Sequence, residues 1–165
     1  NIIIDHDGHL KIADFGLSKE QPWHETSTYT YCGSPEYMAP EMLDKSGHSF
    51  SVDYYCLGAL LYELVTGNPP FYSRDVEKIY YSIQYDEIDF PSHIDLSPEI
   101  KMLLSGLLIK DPKRRLGSLG GIREILAHPW VRKLKVSDVS EKKIPTPIKI
   151  DLLQYNINEE EIGDP

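Results

Sequence analysis

Cysteine is scarce in this chain of 165 residues: Cys32 and Cys56 are the only two. Two thiols are too few for a disulfide scaffold, and reduced thiols are the expectation. Basic residues are also short, with 17 Lys and Arg against 26 Asp and Glu and a formal net charge of -9. A nucleic-acid binder needs a basic face to neutralise phosphates, so that class is excluded. A solvated acidic surface, compatible with basic partners, follows instead. Long apolar runs are missing too. The most apolar stretch, residues 52–65, carries Asp53 and Glu63 and is too short to cross a bilayer, so it is expected to be a buried core helix. No transmembrane segment and no signal peptide is expected. The first residue is not Met and Asn1–Ile4 reads as a strand, so the N-terminus is expected to be a cut.

The rest of the composition is that of a folded domain. Hydrophobic residues make up 41% and charged residues 26%, which excludes wholesale disorder. Ile2-Ile3-Ile4 and Leu10-Lys11-Ile12 flank Asp5-His6-Asp7-Gly8, the pattern of a β-hairpin. Residues 16–40 lack periodicity and are rich in Ser, Thr, Gly and Pro, so a long loop is expected there. A short helix follows at Pro40–Leu43. Ser51 or Asp53 is expected to cap the next helix, which stops at Gly67 before Pro69-Pro70. It is apolar on nearly every face and should lie at the centre of the domain. An amphipathic helix is predicted over 74–85. A Ser97-capped helix with Pro98 at its first position runs to about Lys110, and another short helix covers 122–128. From Arg132 the chain reads as an extended, finally acidic tail with no internal repeat.

Two tripeptides carry the chemistry. Asp14-Phe15-Gly16 follows a predicted strand and opens the long loop, and Ala39-Pro40-Glu41 closes it. Singly each is weak. In this order and at this spacing they match the flags that bound the activation segment of protein kinases. The chain resembles the large lobe of a eukaryotic protein Ser/Thr kinase along nearly its whole length. Asn1 resembles the Asn that ends the catalytic loop. Asp53 and Gly58 resemble the start of the central helix, and Asp111-Pro112-Lys113-Arg114-Arg115-Leu116-Gly117 with His128-Pro129-Trp130 resembles the closing signatures. Thr30, Cys32, Gly33 and the tail motif Ile144-Pro145-Thr146-Pro147 are similar to the AGC group, in its ribosomal-S6-, serum-regulated- or protein-kinase-B-like branches.

The resemblance implies a kinase-like large-lobe fragment, mainly α with a short hairpin near the N-terminus and without the N-terminal lobe. Residues 1–131 would form the partial kinase domain and 132–165 the C-terminal extension. The implied parent transfers the γ-phosphoryl of ATP to Ser or Thr of proteins with basic residues upstream of the acceptor. Mg²⁺ prefers hard oxygen ligands, which Asp14 and Asn1 supply. Ile3 would lie against adenine, supported by Leu60 and Leu64. Thr30 would be the activating phosphosite for an upstream kinase, and Lys19 the cation that pairs with its phosphate. Tyr31, Pro35 and Met38 would line the pocket for the residue after the acceptor. Ser34 would bond the catalytic Asp, and Glu63 with Glu36 would pair with substrate Arg. Glu41 and Arg115 are implied as a buried ion pair, and Asp53 as the holder of the catalytic-loop backbone. The Gly-rich loop, the strand Lys and the H-R-D segment are not among these residues, so the fragment is expected to be inactive and poorly stable alone. Ile157 stands where such tails place a Phe near adenine. A cytoplasmic location is implied, with the nucleus as the alternative. The competing reading is a catalytically dead homologue that docks partners.

Overall fold

A computed structural model describes residues 1–19, 33–45 and 47–146. The described residues divide into two compact units, 1–19 with 134–146, and 33–133.

The first unit is built on an antiparallel hairpin. Strand β1 (Ile2–Ile4) pairs with β2 (Leu10–Ile12) in the register Ile2 to Ile12, Ile3 to Lys11 and Ile4 to Leu10. The turn is organised by Asp5, whose Oδ1 accepts from the backbone N–H groups of Asp7 (3.1 Å) and His9 (2.9 Å). Gly8 takes φ 84°, a conformation that costs glycine little. The other carboxylate oxygen of Asp5 faces Lys142 at 3.2 Å and Lys11 at 3.4 Å. The His9 amide, opposed by desolvation and helped by these lysines, holds the Asp5 carboxyl well below the usual carboxylate range. Residues 134–146 are not uniformly extended, as the sequence suggested. They contain a short helix, Val136–Ser140. The polar run Lys135–Ser140 carries no sustained apolar period, which is why it reads as coil.

The second unit is helical. Its members are α1 (Pro40–Leu43), α2 (Ser51–Thr66), α3 (Val76–Tyr85), α4 (Pro98–Leu107) and α5 (Ile122–Ala127); the helix of the first unit is α6. The core lies between α2, α3 and α4. Tyr55, Ala59 and Tyr62 of α2 meet Ile79 and Ile83 of α3 and Ile100, Leu103, Leu104 and Leu107 of α4, all buried. Helices α2 and α4 approach closely at Gly58, where a Cβ would stand 2.8 Å from the Leu107 Cβ. Ser97 caps α4 by accepting from the Ile100 N–H at 3.4 Å, with Pro98 in the first turn. Gly67 ends α2 at φ 86°, its N–H bonded to Glu63 O at 2.7 Å.

Two expectations about α2 are corrected. Neither Ser51 nor Asp53 caps it: Phe50 occupies the cap position and no side chain makes a cap bond. The Ser51 hydroxyl turns to Glu41 instead, at 3.4 Å. Nor is α2 covered on every face. Asp53, Leu57 and Leu64 are exposed at helical spacing, with Leu57 37% and Leu64 69% accessible. The predicted start of α3 at Arg74 moves to Val76, because Asp75 caps it by accepting from Glu77 N at 3.0 Å.

Candidate active site

The residues expected to serve the nucleotide and metal belong to the first unit. Asn1 and Asp14 bracket the hairpin at its open end, where Ala13 N donates to Asn1 O at 2.9 Å. Pairing of the strands thus brings two residues 13 positions apart to the same end of one ribbon. Asp14 adopts φ 61°, an uncommon left-handed conformation for a residue with a Cβ. Its Oδ1 accepts from Gly16 N at 3.1 Å, which fixes the carboxylate over the Asp14-Phe15-Gly16 turn. Such local strain concentrates at functional sites. Both side chains are exposed oxygen donors. Two such ligands fit Mg²⁺, a cation that keeps several waters and substrate oxygens in its shell. Ile3 is 55% exposed on the hairpin, so it is no core residue but an open apolar surface. Lys19 is exposed at the end of this segment. Thr30 and Tyr31 lie outside the described residues.

The residues expected to meet the peptide belong to the second unit. Ser34 precedes a 3-10 turn, Pro35–Tyr37, which packs on α2. Ser34 is exposed, Pro35 and Glu36 are half-buried, and Met38 is buried beneath them at 3% accessibility. The Glu63 carboxylate, half-buried on α2, accepts a hydrogen bond from the Tyr37 hydroxyl. The Cys56 thiol, about two helical turns earlier on the same face, donates to Tyr37 O at 3.3 Å. Burial, reinforced by the Glu63 and Glu36 charges, pushes the Tyr37 phenol up to about 12, so it remains a donor at physiological pH. Burial also raises the Cys56 thiol to about 11, which keeps it protonated. The contacts of Tyr37 with Glu63 and with Cys56 were not anticipated. The seven-residue spacing of Cys56 and Glu63 on one helix was the signal available. Asp53 sits in the first turn of α2 with its side chain accessible, and desolvation by the surrounding protein raises its carboxyl.

Beneath this surface, Glu41 and Arg115 are joined across 74 positions of sequence. Arg115 Nη1 donates to Glu41 Oε1 at 2.6 Å and Nη2 to Oε2 at 2.8 Å. The remaining guanidinium capacity is filled by the carbonyls of Ser51 (2.9 Å), Ile109 (3.0 Å) and Lys110 (3.2 Å). Both side chains are buried, and the bidentate geometry satisfies a charge pair that water cannot reach. The pair ties the end of the Ala39-Pro40-Glu41 segment to the start of α2 and to the loop after α4.

Comparison with known proteins decides the family. Residues 1–131 match the family model described as "Protein kinase domain". The chain belongs to the protein kinase domain family. Among its relatives, the RAC serine/threonine-protein kinase of Drosophila melanogaster is 45% identical over 152 residues, covering 90% of this chain and 24% of that protein. Protein kinase 2 of Dictyostelium discoideum is 44% identical over 149 residues, 90% of this chain and 30% of its own. The RAC-beta serine/threonine-protein kinase of Homo sapiens is 44% identical over 152 residues, 90% and 31% respectively. These relatives place this kinase chain in the AGC group. The chain spans about a quarter to a third of the length of the curated relatives it matches. No helix among the described residues of this kinase chain is long and apolar enough to cross a membrane.

Proposed function

We propose that the protein containing this chain is an ATP- and Mg²⁺-dependent protein Ser/Thr kinase that selects acceptors preceded by basic residues. The reading rests on the Glu63 carboxylate, held by the Tyr37 hydroxyl beside Glu36 in a chain of net charge -9. A carboxylate held in one orientation by a phenol is suited to receive a guanidinium, because less side-chain freedom is lost on pairing. Asn1 and Asp14 hold the metal, which when bound neutralises charge on the nucleotide phosphates. Ile3 offers the apolar contact for adenine. Tyr31, Pro35 and Met38 shape the surface for the residue after the acceptor, and Ser34 bonds the catalytic Asp. Asp53 steadies the catalytic-loop backbone, and the Glu41–Arg115 pair anchors the peptide-binding segment from below. An upstream kinase phosphorylates Thr30, and Lys19 receives the phosphate, which adds about -1.5 to -2 charge and orders the loop. The setting is the cytoplasm or nucleus.

The test uses the full-length protein and two peptides that differ only in an Arg upstream of the acceptor. Glu63→Gln should raise KM for the Arg peptide by about tenfold or more, the loss expected for a charge-assisted hydrogen bond, and leave the Arg-free peptide nearly unchanged. Equal effects on both peptides would reduce Glu63 to a structural residue. For regulation, Thr30→Ala should abolish the response to the upstream kinase while Thr28→Ala retains it. The opposite pattern would mean that the wrong threonine has been assigned. Absence of phosphoryl transfer in the full-length protein would favour the docking-homologue reading.

A further inference from the structure

Helix α3 carries an aromatic pair that the core does not use. Tyr81 and Tyr85, one turn apart, are 59% and 67% exposed, although tyrosine rings bring much apolar area to any burial. Their ring centroids lie 4.9 Å apart with planes inclined by 49°, so the two rings form one contiguous aromatic surface. Ile79, Ser82 and Ile83 of the same helix are buried, which fixes the tyrosines on its outer side.

The charge next to this surface has the wrong sign for a helix end standing alone. Carbonyl groups make the C-terminus of a helix partially negative, and cations are favoured there. The last turn of α3 contains no basic residue, and the exposed Asp86, Glu87 and Asp89 follow it. Lys110 relieves the end in part, through its Nζ bonds to Ser82 O (3.1 Å) and Ile83 O (2.6 Å). That ammonium is also held over the Phe71 ring at 3.9 Å from the centroid and within electrostatic reach of Asp86, so one cation faces the three carboxylates of the rim. Lys78 adds one positive charge to the exposed face a turn before Tyr81, which directs an incoming cation toward the Tyr85 end.

We infer that the Tyr81–Tyr85 surface with the Asp86–Glu87 rim is a docking site for an arginine-bearing segment of a protein partner, separate from the site around Glu63. A guanidinium stacks on aromatic faces and pairs with carboxylates through its edge, and both elements stand side by side here. An ammonium is more strongly hydrated and meets only the charge, so arginine is preferred over lysine. The surface is a recognition site and needs no chemistry at the phosphoryl-transfer centre.

The test is fluorescence anisotropy with the full-length protein and a labelled twelve-residue peptide holding two adjacent arginines and no hydroxyl residue. Matched peptides carry lysine or citrulline at the same positions. Tyr81→Ser with Tyr85→Ser should weaken the arginine peptide about tenfold, the loss expected for two exposed cation–aromatic contacts. Asp86→Asn with Glu87→Gln should weaken it by about three- to tenfold, and the weakening should shrink as salt rises. The fold-losses caused by the tyrosine and rim variants should be the same in a Glu63→Gln background, and lysine should bind more weakly than arginine, citrulline more weakly still. Because all four substituted side chains are exposed, the melting temperatures should stay within a few degrees of wild type. Retained affinity in the tyrosine variant overturns the proposal, as does disappearance of the tyrosine effect in the Glu63→Gln background or no measurable binding by the wild type.

Discussion

At the scale of single residues, burial of charge dominates. Arg115 is 1% accessible and Glu41 3%, and the arginine satisfies three carbonyls besides its carboxylate partner. Removing one member of such a pair leaves an uncompensated charge, a loss of about 3–5 kcal/mol. Arg115→Ala is therefore expected to lower the denaturation midpoint by that equivalent, and Glu41→Gln by less, because an amide still accepts from the guanidinium. Urea unfolding followed by circular dichroism measures both; a change below about 1 kcal/mol for Arg115→Ala, within the range of exposed pairs, would contradict the buried role. The opposite sign is expected at Tyr55. Its hydroxyl is buried with no hydrogen-bond partner among the described residues. Deleting an unsatisfied polar atom removes a desolvation cost of about 1–3 kcal/mol, so Tyr55→Phe should raise the melting temperature. Glu41 and Arg115 were legible because each stands in a motif. The Tyr55 hydroxyl was not, because nothing in a sequence says which groups will surround it.

At the scale of elements, packing distance is the controlling quantity. Gly58 lets α2 and α4 approach until a Cβ would lie 2.8 Å from Leu107 Cβ and 3.1 Å from Leu108 side-chain atoms. Gly58→Ala gains helix propensity of about 1 kcal/mol but forces the helices apart, at a cost of about 1–3 kcal/mol. A net destabilisation is expected, measurable as a lower melting temperature. A stabilised variant would show that the helices can slide apart freely. The element boundaries show what local chemistry encodes. Ser97-Pro98 and Gly67 act through their own backbones, and both ends were readable. The start of α2 was not, because the Ser51 hydroxyl bonds Glu41, a partner ten residues away. Helix α6 was missed because it is five residues long and polar, and so short a helix is fixed by its surroundings more than by its own propensity.

At the scale of the whole molecule, the titration of Lys110 leaves a signature in stability. Burial lowers its ammonium from 10.5 to about 8. Between those values the folded protein has released the proton while the unfolded chain still holds it. The unfolded state then binds more protons, so stability rises with pH from about 8 toward 10.5. Below pH 8 both states hold the proton and the contribution is constant. In Lys110→Met the rise should disappear relative to wild type, as read from urea unfolding at pH 7.5, 9 and 10. Parallel curves for the two proteins would assign the slope to another group. A second expectation concerns the open face of α2. Leu57 and Leu64, exposed with Ile3 and other hairpin residues, leave apolar area in water. The 165-residue chain studied alone should bind a hydrophobic dye, and Leu57→Gln with Leu64→Gln should reduce that binding without lowering its helix content. A chain that melts in one sharp, reversible step with no dye binding would contradict this.

The sequence by itself determined what depends on neighbours along the chain. The hairpin, the turn at Asp5–Gly8, the caps at Ser97 and Gly67 and the order of the two kinase flags are all local, and local hydrogen bonding and backbone freedom suffice to specify them. The family followed because the flags recur with fixed spacing along one chain. Tertiary structure alone decided which groups share a buried space. It set Tyr37 against Glu63, left the Tyr55 hydroxyl without a partner among the described residues, turned Ser51 from a cap into a partner of Glu41, and exposed Tyr81 and Tyr85 while burying their helix neighbours. The physical reason is that desolvation and side-chain pairing depend on distances across the fold, and those distances are created only when the helices pack.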